Sequence, residues 1–136
     1  MSPKKRSARS VGEQEALSYL KKAEEFYLTM AEAFQKGRWN AAGLAGVHCA
    51  ISATDALLGK KARVRSSGES HMEAVRLLKE NIDDPDVGTQ SQRLGRILGE
   101  KNRVEYDSRE FREAEAAAVV KDVGRYFEWV KGYFPV

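Results

Sequence analysis

A chain of 136 residues, 42% of them hydrophobic and 32% charged, is the size of one domain and can bury a core without disulfides or a structural metal. Three prolines leave long stretches free of helix breakers, so the composition favours an all-α fold, and no apolar run approaches the ~18 residues of a membrane span. The net charge of +3 hides two basic clusters, Lys4, Lys5, Arg6 and Arg9, then Lys60, Lys61, Arg63 and Arg65, either of which suits phosphate or an acidic partner.

The elements follow in chain order. Residues 1–9 read as a flexible basic arm and residues 10–136 as a single helical domain. The arm lacks the apolar block that follows in a secretory signal, so a cytoplasmic location is expected. Ser10 and Glu13 are spaced as a capping box for a first helix running to about Gln35. Ala16, Leu20, Ala23, Tyr27, Met30 and Phe34 alternate spacings of four and three, giving one continuous apolar face. Gly37 ends that helix, and Trp39 begins an antiparallel neighbour. Residues 39–58, WNAAGLAGVHCAISATDALL, are apolar on nearly every side, which marks a central helix. Its small residues let neighbours approach closely, and His48, Ser52 and Asp55 share one polar face. Cys49, the lone cysteine, reads as a small core residue.

Gly59 is expected to close the central helix, and GKKARVRSSGES reads as an exposed basic loop. Ser70 and Glu73 form a second capping box, opening a short helix with Met72, Val75, Leu78 and Ile82 inward and His71 in its first turn. An acidic turn, NIDDPDVG, precedes a fourth helix from about Thr89, with Gln92 as capping partner and Leu94, Ile97, Leu98 and Val104 inward. Lys101 continues that apolar stripe. A desolvated ammonium needs a partner or a ligand unless its stem snorkels to water. Asn102 and Tyr106 lie one turn apart on the adjoining face, with Arg103 and Arg109 near in sequence. Asp107 or Ser108 can cap a fifth helix, whose dipole suits Glu110, Glu113 and Glu115. Ala116, Val120, Val123, Phe127, Val130 and Phe134 form one apolar line, and Val119, Tyr126 and Tyr133 a second beside it. With Trp129 that face is broad enough to predict part of it packing on a second subunit, in a homodimer.

No phosphate-binding glycine loop, serine-nucleophile elbow or cluster with metal-ligand spacing is present, so neither a cofactor nor a metal is expected. His48 and Ser52, four apart on one helix, read as packing before they read as a catalytic pair.

The central helix HCAISATDALLG, the basic loop, the helix opening HMEAVRLL and the segment LGRILGEKNRVEYDS, set between two long helices, together resemble the HEPN (higher eukaryotes and prokaryotes nucleotide-binding) domains over residues 10–134. The resemblance implies an up-and-down bundle of four to five antiparallel helices, commonly dimeric. It also implies either metal-independent RNA cleavage or partnership with a small nucleotidyltransferase in a toxin–antitoxin pair. Active members carry an arginine, a polar residue and a histidine four to six positions beyond it. The matching positions here are Lys101, Asn102 and Tyr106, as in a divergent lysine-and-tyrosine branch that Asp55 and His71 also match. An unperturbed tyrosine, with a pKa of about 10, is a poor base at neutral pH. The expected function is therefore binding of RNA or a nucleotide phosphate in a cleft lined by Lys101, Asn102, Tyr106, Asp55 and His71, with His48, Ser52, Arg103 and Arg109 as weaker candidates. The alternatives are a metal-independent endoribonuclease and a structural module that docks a partner protein.

Overall fold

The apolar periodicities become six helices and one short β ribbon in the computed structural model, which describes residues 8–10, 12–67 and 70–135. The elements are β1 (Ala8–Ser10), α1 (Glu13–Gln35), α2 (Trp39–Ala62), β2 (Val64–Ser66), α3 (His71–Asn81), α4 (Val87–Gly99), α5 (Lys101–Glu105) and α6 (Glu113–Lys131). The all-α bundle expected from composition is the architecture observed.

Helix α2 is the axis. From Ala42 to Gly59 nearly every residue is buried, because α1, α3, α4 and α6 pack around it. Helix α2 is long and apolar enough to cross a membrane, yet most of its apolar stretch is covered by the rest of the chain. Helix α1 returns antiparallel along it through a turn at Gly37, whose φ of 74° is a conformation that favours glycine. Two glycines set how close the neighbours come. A Cβ on Gly43 would lie 2.6 Å from the Phe111 ring, and one on Gly46 would lie 2.7 Å from Val119 Cγ1 and 3.1 Å from Met30 Sδ. Gly46→Ala is expected to destabilise by about 1–3 kcal/mol through overpacking. Gly88→Ala, where α4 faces open space, should stabilise by up to about 1 kcal/mol through helix propensity. Thermal melts of the two variants, shifting in opposite directions, check this.

Several expectations are corrected. Lys4, Lys5 and Arg6 of the basic arm lie outside the described residues, but Ala8–Ser10 form a strand antiparallel to Val64–Ser66, with Ala8 opposite Ser66. Gly12, not Ser10, is the N-cap of α1, and its N–H donates to Glu15 Oε1 at 3.2 Å. Gly59 does not close α2. The helix continues to Ala62 and ends on Arg63 in the left-handed region (φ 58°), so the expected exposed loop contains a helical turn and a strand. Ser70 does cap α3, accepting from the Met72 N–H at 3.1 Å, but Glu73 is buried and serves β2 instead of the cap. Helix α4 starts two residues early, after Asp86, and stops at Gly99. Val104 and Lys101 therefore belong to a separate short helix, α5. Neither Asp107 nor Ser108 caps α6, which is preceded by Arg112, with Glu115 Oε1 accepting the Arg112 N–H at 2.8 Å.

Much of the broad face of α6 is covered from within the chain. Val119, Val123, Tyr126, Phe127 and Val130 are all buried, and Trp129 and Tyr133 both donate to Asp84 in the turn before α4. The buried part of that face packs on α1, α2, α4 and that turn, while Val120, Trp129, Tyr133 and Phe134 stay half-buried.

Candidate ligand-binding site

The polar face of α2 and the turns around it build one cavity of about 560 Å³. The extra turn of α2 and the left-handed Arg63 reverse the chain, and pairing of β2 with β1 brings Arg65 back over the helix it has just left. Arg65 Nη1 stands 3.7 Å from Asp55 Oδ2, and its guanidinium lies over the Tyr19 ring of α1 at 5.4 Å. Buried Glu73 ties β2 to α3. It accepts from the Ser66 hydroxyl and, at 2.8 Å, from the Ser67 N–H, with the Ser67 hydroxyl at 3.1 Å. This carboxylate fixes the wall that carries His71. The break between α4 and α5 supplies the facing wall, Lys101 and Asn102. Ile51, Met72, Ala74 and Leu98 give the cavity an apolar side.

Four of the residues singled out in the sequence, Asp55, His71, Lys101 and Asn102, come together here. Tyr106 does not. It is 76% exposed and does not line the cavity, although its ring lies 6.0 Å from the Lys101 ammonium. Lys101 is not held at an inner seam. The end of α4 at Gly99 interrupts the stripe, leaving the side chain 30% exposed and paired with Glu105 Oε1 at 2.8 Å. That hydrogen bond raises the lysine pKa and holds the Glu105 carboxyl below its usual range. Glu105 also meets His48, whose Nε2 is 3.1 Å from Oε2, so α5 is fastened to α2 beside the cavity. Asp55 pairs with Arg65 and not with Lys101. Ser52 is buried but does not line the cavity, and Arg103 and Arg109 both reach Glu115.

Asp55 is the electrostatic centre. Burial pushes its carboxyl up to about 7, opposed by the nearby Arg65 and Lys22 charges. It accepts no hydrogen bond among the described residues, so its protonation state is set by burial and by cations alone. Cys49 is also buried, and its thiol is pushed up to about 12, which leaves it an inert core group. Among the described residues no group of three histidine, cysteine or acidic side chains is placed to hold a metal ion.

Arg65 stood out in the sequence only as one of a basic cluster and Ser70 only as a helix cap, and Ser66, Ser67 and Glu105 were not singled out. The signal for the last was available: Gly99 stands where helices end, and a helix restarting at Lys101 puts Glu105 one turn on from the lysine. No protein-family model matches the chain, and no curated protein matches it either.

Proposed function

We propose that this chain is a HEPN-like binding module that takes a phosphate-bearing ligand, a nucleotide or RNA, in the cavity between α2, β2, α3 and α5. The observation that carries the reading is the convergence of Arg65 and Lys101 on one concave site with His71, Asn102 and an apolar side. The cavity volume lies within the ~300–1,000 Å³ of small-molecule sites. A guanidinium and an ammonium supply anion recognition, and the apolar side can receive a base or sugar. Each cation already has a carboxylate neighbour, so a ligand anion shares its cation with Asp55 or Glu105.

Fluorescence titration with adenosine 5′-monophosphate and with a single-stranded RNA tests this. Lys101→Ala is expected to weaken binding about tenfold or more, the ~1.5–3 kcal/mol scale of a hydrogen bond to a charged group. Affinity unchanged by Lys101→Ala and by Arg65→Gln would overturn the assignment.

A second reading rests on His71, which lines the same cavity as Lys101 and carries an imidazole, the side chain most often used as a general base. In that reading the chain is a metal-independent endoribonuclease. Exposed Tyr106 is the poorer candidate for the base. Cleavage of labelled RNA in chelator, abolished by His71→Ala and kept by Tyr106→Phe, is the result that would favour it.

A further inference from the structure

The pairing of Asp55 with Arg65 bears on which phosphate fits, and the inference drawn from it rests on the binding reading above. Two walls of the cavity present cations, Arg65 from β2 and Lys101 from α5, while α2 presents a carboxyl. The Asp55 carboxyl accepts no hydrogen bond among the described residues, and its guanidinium neighbour stays at 3.7 Å. The charged and titratable groups around it are Lys22 and Tyr19 from α1, Arg65 from β2, His71 from α3, Lys101 from α5 and Tyr126 from α6. Of these, Tyr126 is committed elsewhere, its hydroxyl 2.6 Å from Thr54 Oγ1.

An anion seated against Arg65 also meets Asp55. Two oxyanions facing each other at that range cannot both stay ionised without a proton between them. A phosphomonoester has three terminal oxygens, one each for Arg65, Lys101 and a protonated Asp55, and its own second pKa of about 6 lets it share that proton. A phosphodiester offers two terminal oxygens and no titratable proton in this range.

We propose that the cavity selects a phosphomonoester, such as a nucleotide or a terminal phosphate, over the diester backbone of a nucleic acid, and that it takes this group up together with one proton shared between Asp55 and the phosphate. The proton comes from solvent, or from the ligand when it arrives as the monoanion. Arg65 is thereby released from its internal carboxylate to the ligand. The raised pKa of Asp55 agrees, since burial already favours the protonated acid.

Calorimetry on the full chain tests the proposal, using adenosine 5′-monophosphate and the dinucleotide ApA, which has a diester and no terminal phosphate. The monophosphate should bind about tenfold or more tightly than ApA at about pH 6.5. Its affinity should fall between about pH 7 and about pH 8.5, approaching tenfold per pH unit at the alkaline end, the slope of one linked proton. Titrations at about pH 8 in buffers of different ionisation heat should show uptake of close to one proton. Asp55→Asn should remove both the slope and the uptake while still binding the monophosphate. Equal affinity for the two ligands overturns the selectivity, and an unchanged slope in Asp55→Asn overturns the role of Asp55. If single-stranded RNA binds through Lys101 but the monophosphate does not, this inference fails and the phosphate reading stands. If neither binds, both fail.

Discussion

Tyr126→Ala is expected to lower unfolding stability by about 3–5 kcal/mol, the range for deleting a fully buried aromatic side chain. Tyr126 lies on α6 with no exposed surface, packed against α2 with Trp129 beside it. Its hydroxyl has a defined role. The Thr54 hydroxyl donates its one hydrogen to the Ala50 carbonyl at 2.8 Å, so at 2.6 Å Tyr126 is the donor and Thr54 the acceptor. Tyr126→Phe leaves Thr54 bonded to Ala50 and should lower stability by only about 0.5–1.5 kcal/mol. Denaturant melts of the two variants measure the difference. Similar losses for both would mean that the hydroxyl, and not the ring volume, joins α6 to α2.

The second large effect is a pH dependence. The Asp55 carboxyl stands at about 7 in the fold, against an ordinary 3.8, with burial as the main cause. The native state therefore holds a proton between those values that the unfolded chain has released. Stability from this group is fully present below about pH 4, falls as pH rises and is lost above about pH 7. The two values are about three apart at ~1.4 kcal/mol each, so the full loss is at most about 4 kcal/mol. Asp55→Asn keeps the shape and removes the ionisation. Its stability relative to the unaltered protein should rise by a few kcal/mol from about pH 4 to about pH 8. The carboxylates of Glu105, Asp84 and Glu115, held low by their hydrogen bonds, act in the opposite direction at acid pH and are common to both proteins. Parallel stability curves across that range would contradict the assignment of Asp55.

The elements differ in how legible they are from the sequence. Helices α1 and α6 were legible because their apolar residues keep spacings of four and three over several turns. Helix α2 was legible because a helix apolar on all sides has no stable place except the middle of a bundle. Asp55 could be singled out as a polar group on that helix. The β ribbon was not legible. Its strands have three residues each, too short for any periodicity, and their pairing joins Ala8 to Ser66 across most of the first half of the chain. The placement of Arg65 over Asp55, and the part played by Ser66 and Ser67, were hidden with it. Lys101 was selected by extending the stripe of Leu94, Ile97 and Leu98 through Gly99, where the helix in fact ends. It lines the cavity all the same, because α5 turns it toward α2 and α3.

Entry of a phosphate group into the cavity bounded by Arg65, His71 and Lys101 can be seen by amide shift mapping of isotope-labelled protein titrated with adenosine 5′-monophosphate. Saturable shifts are expected at Asp55, at residues 65–67, at His71 and at Lys101 and Asn102. Shifts confined to the far surfaces of α1 and α6, with those cavity amides unmoved at millimolar ligand, would contradict it.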